Sequence, residues 1–142
     1  MKRIPTRKAQ SQVAVLWIVG CTPVALLLIF RTISGAYGDH AKEAWEWFVP
    51  TVGPTLSLVL TVAGKQALES SNATKQGTIA GGWYLGTIYL SSAYLFIVTA
   101  IVLVAARQQS LVPLRASTLF LGAIQAMVGG ALGVLYTAPK DQ

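Results

Sequence analysis

Residues 76–106 read QGTIAGGWYLGTIYLSSAYLFIVTAIVLVAA, a stretch of 31 residues without Asp, Glu, Lys or Arg. A helix rises about 1.5 Å per residue, so roughly 20 residues cross a hydrocarbon core of about 30 Å. Lipid offers no partner for backbone N–H and C=O groups, and a continuous apolar segment at that depth must therefore be helical. The stretch predicts a transmembrane helix, which we place at residues 83–106.

Three further stretches lack charged residues: 9–30, 47–64 and 116–139, of 22, 18 and 24 residues. One such stretch would also suit a buried helix of a soluble protein, but four in one short chain favour membrane spans. The predicted fold is all-α: a polytopic membrane protein with four transmembrane helices in an antiparallel up-down bundle. The single membrane domain covers residues 1–142, with spans at 13–30, 45–64, 83–106 and 112–136, a basic cytoplasmic arm at 1–12 and a polar loop at 65–82.

The composition agrees with a chain dissolved in lipid. Of the 142 residues, 54% are hydrophobic and 11% are charged, and the mean hydropathy is +0.57. Soluble domains carry roughly 25% charged residues. A small domain buries only about two thirds of the surface of its chain, which leaves too little interior for this many apolar side chains. The composition excludes a soluble enzyme, a disordered tail and a disulfide-stabilised secreted scaffold.

The first span has two alternative interpretations. A basic start followed by an apolar run resembles a signal peptide, and Ile18-Val19-Gly20-Cys21 fits a bacterial lipoprotein cleavage box. The apolar run nevertheless continues beyond Cys21 to Phe30, which is longer than the roughly 7–15 residues of a signal core. We therefore interpret the segment as an uncleaved span in which Cys21 is a lone buried thiol.

Basic residues predict the orientation. With four spans both termini lie on one side, which would hold seven Lys or Arg against four on the other. Most of the excess comes from Lys2, Arg3, Arg7 and Lys8. The positive-inside rule then places both termini in the cytoplasm. We expect these four side chains to bind lipid head groups, and we expect no nucleic-acid partner.

The second span carries kinks and a charge at its outer end. Pro50 and Pro54 each remove a backbone donor, and the hydroxyls of Thr51 and Thr55 could satisfy freed carbonyls. Glu46 lies just outside them, beside two tryptophans. It is either an interface residue or the mouth of a pore.

Small residues predict the packing faces. On the fourth helix, Gly122, Gln125, Gly129 and Gly133 fall within about 80° of one another, and Gly82 and Gly86 begin a similar stripe on the third helix. Membrane helices associate through close packing at small residues. We expect these faces to contact a helix of the same chain or of another copy.

The predicted spans lack the charged groups that proton transport usually needs, and the chain lacks a cluster of metal ligands. Among the four predicted spans, no Asp, Glu, Lys, Arg or His lies near the centre, whereas pumps and proton-coupled transporters usually need such groups. Small multidrug exporters depend on a glutamate in their first span, and this chain has none there. One histidine and one cysteine on different elements do not form a metal site. We predict no enzyme activity, no cofactor and no metal.

Two segments carry a resemblance to a group of proteins. WEWFVPTVGPTL at residues 45–56 and LFLGAIQ at residues 119–125 resemble segments of small, functionally uncharacterised four-helix proteins of the bacterial inner membrane. Such proteins are sometimes encoded near defence or stress modules. The resemblance implies a location and no activity.

Two functional classes remain. The first is a non-enzymatic bundle that anchors or partners another membrane or cytoplasmic protein, or assembles with copies of itself. The second is a small pore, a permeation subunit or a membrane-perturbing effector, suggested by Glu46 and the kinked second span.

Overall fold

The fold is built from four long helices. The structure, a computed structural model, describes residues 3–68 and 78–137. The helices are α1 (Thr6–Ile33), α2 (Ala41–Leu68), α3 (Gly81–Gln108) and α4 (Val112–Thr137). A 3-10 turn at Gly38–His40 precedes α2, and two short strands, β1 (Arg3–Pro5) and β2 (Thr78–Ala80), precede α1 and α3.

These helices confirm the predicted all-α fold. Each is 26 or 28 residues long and apolar enough to cross a membrane. Every predicted span lies inside one helix, and the helices extend beyond the spans at most ends. The largest extension is in α1, which begins at Thr6, so that residues 6–12 of the predicted basic arm are helical.

The arm and the polar loop meet in a small sheet. β1 pairs antiparallel with β2, with Ile4 opposite Ile79 and Pro5 opposite Thr78. Ile79 is buried. The sequence analysis assigned no regular structure to either segment, because three residues are too few to show the alternation that predicts a strand. Residues 69–77 of the predicted loop, Lys2 and the tail at 138–142 lie outside the described residues.

Each helix packs mainly on two neighbours. α1 contacts α2 and α3, and α4 contacts α2 and α3, which gives the order α1–α2–α4–α3 around the bundle. At one end, Tyr84 Oη donates to Gln12 Oε1 at 2.7 Å, so α3 starts beside the start of α1. At the other end, Trp45 Nε1 donates to Thr32 Oγ1 at 3.1 Å, so α2 starts beside the end of α1.

The centre of the bundle is filled by side chains. Trp17 on α1 and Tyr94 on α3 are fully buried, and their ring centroids are 5.8 Å apart. Tyr94 Oη donates to the carbonyl oxygen of Thr51, which joins α3 to α2 across the bundle. Other fully buried side chains belong to the same core and come from all four helices: Val13, Leu28, Val52, Val59, Val98, Val102, Leu114, Leu121, Leu132 and Leu135.

The connection from α1 to α2 turns through two glycines. Gly35 and Gly38 have φ angles of 69° and 51°, in the left-handed region where a side chain is disfavoured.

Arg31, in the last turn of α1, donates through Nη1 to the carbonyl oxygen of Ala106 at 2.6 Å. The guanidinium therefore lies near the C-terminal ends of α1 and α3, where a cation offsets the negative ends of the helix dipoles.

Candidate functional site: a groove between α2 and α4

A groove runs between α2 and α4 on the side of the bundle. Its volume is about 480 Å³. Charged side chains lie at the end near the helix starts, and apolar and hydroxyl groups line the part beside the kinks of α2. The lining residues are Glu43, Glu46, Trp47, Pro50, Thr51, Arg115, Thr118, Gly122 and Gln125.

The groove brings together two sets of residues that the sequence analysis treated separately. Glu46, Pro50 and Thr51 come from the predicted kink and mouth, and Gly122 and Gln125 come from the predicted packing face. Pro54 and Thr55 do not line the groove. Thr55 is buried, whereas Pro54 is exposed.

Gln125 completes the hydrogen bonding of the kink. Pro54 has no N–H, so it leaves the carbonyl of Pro50 without its usual helical partner. Gln125 Nε2 on α4 donates to that carbonyl oxygen at 3.3 Å. Thr51 Oγ1 instead donates to the carbonyl oxygen of Trp47 at 2.6 Å, which is not one of the freed carbonyls. The Thr51 hydroxyl was expected to bond a carbonyl that a proline leaves without a partner, and it bonds the carbonyl of Trp47 instead.

Ionic groups from two helices meet at the end of the groove near the starts of α2 and α4. Arg115 at the start of α4 forms an ion pair with Glu43 at the start of α2. His40 Nδ1 lies 3.0 Å from the other oxygen of the same carboxylate. The hydrogen bond from Arg115, and after it the one with His40, lowers the pKa of the Glu43 carboxyl below its usual value. The sequence analysis did not identify Glu43 or Arg115.

Glu46 is the other acidic group of the groove. Its carboxylate lies 3.4 Å from Lys42 Nζ, one turn earlier on the same helix. The two side chains are 61% and 83% exposed. Exposed pairs of this kind contribute little to stability, so Lys42 holds this carboxylate weakly.

Trp47 forms part of the inner wall. It is buried, and its Nε1 donates to Ser117 Oγ at 3.2 Å. Ser117 in turn donates to the carbonyl oxygen of Leu114 at 2.7 Å. Because the indole is held to α4 in this way, its ring has a defined position at the edge of the groove.

The predicted glycine faces do not contact other helices at the glycines themselves. A Cβ added at Gly82, Gly86, Gly122, Gly129 or Gly133 would meet no atom within 4 Å. The expected close approach within the chain is therefore not found there, and packing against another copy stays a prediction. Close approach occurs instead at Gly20 of α1, where an added Cβ would lie 2.7 Å from Leu95 Cδ1 of α3. Gly20 has no small residue four positions away, so the small-residue pattern does not reveal it.

The four residues predicted to bind lipid head groups lie near the N-terminus. Arg3 belongs to β1, and Arg7 and Lys8 lie in the first turn of α1, whereas Lys2 lies outside the described residues. In residues 3–68 and 78–137, no three His, Cys, Asp or Glu side chains are grouped so that they could hold a metal ion.

Comparison of the chain with family models, with curated proteins and with solved structures finds no match. The class of protein that the fold defines is a four-helix bundle in which every helix could span a membrane.

Proposed function

We propose that this chain is a multi-pass protein of the bacterial inner membrane, that it crosses the bilayer four times with both termini in the cytoplasm, and that it acts as a non-enzymatic assembly subunit. Large apolar side chains on the outside of the bundle support insertion, because water would make their exposure costly. Leu119, Ile33 and Phe96 are 88%, 81% and 75% exposed.

Contacts between helix ends support the antiparallel up-down arrangement. The starts of α1 and α3 lie side by side, linked by Tyr84 and Gln12. The starts of α2 and α4 are linked by the ion pair of Glu43 with Arg115. Helices that alternate in direction give both pairings, and they bring the basic arm and the loop before α3 to one side.

The observation that carries the proposed self-association is the open space around the glycines of α4. Gly129 and Gly133 lie one turn apart on one face, and nothing in the described chain fills the volume next to them. Glycines in a membrane helix permit a second helix to approach closely, and lipid chains do not pack as tightly against them. A second copy of the chain, or another membrane protein, would use this stripe.

Cross-linking in a bilayer tests the proposed contact. In a Cys21→Ala background, Gly129→Cys should form a disulfide between copies when a thiol oxidant is added to nanodiscs or native membranes. Met127→Cys is the control, because Met127 is 67% exposed at a similar depth on a different face. Equal cross-linking at both positions, or a strict monomer at every concentration, would exclude self-association through this stripe.

A second candidate is a permeation subunit, and the polar groove favours it. Trp17 and Tyr94 occupy the centre of the bundle, so ions would have to pass along the groove and not through the middle of one chain. The groove would become a conduit only when a second copy or a partner closes its open side. Liposome flux measurements test this: flux that Glu46→Gln reduces would support the candidate, and the absence of flux at every membrane potential would reject it.

A further inference from the structure

The groove between α2 and α4 has the features of a ligand site. We propose that it binds a lipophilic monocation, with the positive charge at the carboxylate of Glu46 and the apolar body against Trp47, Pro50 and Gly122. This inference requires the bundle to lie in a bilayer, as proposed above, but it does not require self-association.

The charges of the groove determine the sign of the ligand. Glu43, Glu46 and Arg115 line the groove, and together they carry one net negative charge. Arg115 and Glu43 neutralise each other in their ion pair. The remaining carboxylate is that of Glu46, and its partner Lys42 is 83% exposed and does not line the groove. A ligand cation can therefore take the place of Lys42 at little cost.

The wall beside Glu46 suits an apolar cation. Trp47 is among the residues that line the groove although it is only 6% exposed, and aromatic rings attract cations that come within about 6 Å of the ring centre. The hydrogen bond to Ser117 fixes the indole nitrogen and holds the ring in place before a ligand arrives. A carboxylate next to an immobilised aromatic ring is a suitable environment for a charge that carries no N–H groups.

The deeper part of the groove accepts an apolar body. Two of its polar groups already have partners, because Gln125 donates to Pro50 and Thr51 donates to Trp47. A ligand therefore need not supply hydrogen bonds to them. A side chain added at Gly122 would meet no protein atom within 4 Å, so this glycine leaves space that the ligand can use.

The size of the groove is appropriate for a small organic molecule. Its volume of about 480 Å³ lies within the range of roughly 300–1,000 Å³ typical of ligand pockets. An anion would meet the Glu46 carboxylate, and a zwitterionic phospholipid would bring its phosphate close to the same charge. The net negative lining favours a ligand whose overall charge is positive.

Binding of tetraphenylphosphonium to the full-length protein tests the proposal. The protein is placed in nanodiscs of phosphatidylcholine and phosphatidylglycerol, and partition into empty nanodiscs is subtracted. Tetraphenylborate has nearly the same size and the opposite charge, so it reports binding that depends on shape alone. We expect saturable binding of the phosphonium cation and no saturable binding of the borate anion.

Three variants locate the site. Glu46→Gln removes the charge and should weaken phosphonium binding by about tenfold or more, equivalent to roughly 1.4 kcal/mol. Gly122→Phe fills the groove and should abolish binding. Gly130→Phe is the matched control on the same helix, since Gly130 does not line the groove, and it should leave the affinity within about twofold of wild type, or roughly 0.4 kcal/mol. Helix content from circular dichroism verifies that each variant is folded.

Several results would overturn the proposal. Equal affinity of wild type and Glu46→Gln, or saturable borate binding, would show that the charge does not select the ligand. Displacement of the phosphonium cation by added phosphatidylethanolamine would assign the groove to a lipid head group. A Gly133→Ile variant separates the ligand site from the proposed self-association. If this variant no longer self-associates and its phosphonium affinity is unchanged, the ligand site does not depend on self-association.

Discussion

Gln125 Nε2 on α4 donates a hydrogen bond at 3.3 Å to the carbonyl oxygen of Pro50 on α2. That carbonyl has no ordinary partner because the residue four positions later is Pro54, which lacks an N–H. The donor that α2 loses at its kink is therefore supplied by α4. The kink and the glutamine are two parts of one contact, and they lie together in the wall of the groove.

This contact predicts a specific coupling between two substitutions. Gln125→Leu should lower the free energy of unfolding by about 1 kcal/mol, because the Pro50 carbonyl loses its hydrogen-bond donor. Pro54→Ala restores a backbone N–H to that carbonyl. In the Pro54→Ala background the cost of Gln125→Leu should fall to near zero. The free energies of unfolding of wild type, the two single variants and the double variant can be measured in mixed detergent micelles as a double-mutant cycle. Additive effects would show that the two residues are not linked through Pro50.

The hydroxyl of Tyr94 should matter more than that of another tyrosine on the same helix. Tyr94 is fully buried and donates to the Thr51 carbonyl, whereas Tyr89 is 74% exposed. Tyr94→Phe should destabilise the bundle by about 1 kcal/mol, and Tyr89→Phe should have no measurable effect. Both variants keep the aromatic ring, so the comparison isolates the hydrogen bond. Equal stabilities of the two variants would contradict the assigned contact between α3 and α2.

Close approach of α1 and α3 at Gly20 predicts a steric effect. Gly20→Val should cost about 1–3 kcal/mol, because its Cβ would collide with Leu95. A Cβ added at Gly86 would meet no atom within 4 Å, so Gly86→Val should be tolerated in the isolated bundle. Leu95→Ala should restore part of the stability of Gly20→Val. If Gly86→Val lowered the stability more than Gly20→Val, the contact between α1 and α3 would not lie at Gly20.

The ion pair at the mouth of the groove predicts a dependence on pH. Arg115 and His40 lower the pKa of Glu43, so the folded state binds its proton less readily than the unfolded state does. The stabilisation by Glu43 is therefore fully present above the ordinary carboxyl pKa of 4.5 and is lost as the pH falls through the lowered value.

Melting temperatures of wild type and Glu43→Gln measured across this range check the effect. The difference between the two proteins should be largest near neutral pH and should vanish in acid. Glu46→Gln is the control, since its exposed pair with Lys42 contributes little. A constant difference between wild type and Glu43→Gln at every pH would show that the pair does not stabilise the fold through charge.

The number and positions of the helices could be predicted from the sequence because one physical constraint dominates. Backbone groups within lipid must bond to each other, so four stretches that are long and apolar enough for a bilayer are expected to be helical, and all four lie in helices. The residues 13–30 and 83–106, for example, both lie within helices that extend beyond them. Helix ends were less predictable, since the polar residues after Pro5 carry no strong signal against continuing a helix.

The contacts between helices could be predicted less well. Small-residue spacing indicates where a helix can be approached, but it does not reveal which neighbour comes close. Gly129 and Gly133 fit the spacing and face open space, whereas Gly20 does not fit it and packs against Leu95. The pairing of Glu43 with Arg115 becomes predictable only once α2 and α4 are assumed to start at the same end.

The central claim is that the four helices span a lipid bilayer. Protease and antibody accessibility of tags at the two termini, with a third tag inserted at residues 34–40, tests it most directly in intact bacterial cells and in inverted membrane vesicles. We expect both terminal tags to be accessible only in the inverted vesicles and the third tag only in cells made permeable at their outer membrane. Termini on opposite faces, or a chain that stays dispersed in buffer without detergent, would contradict the account.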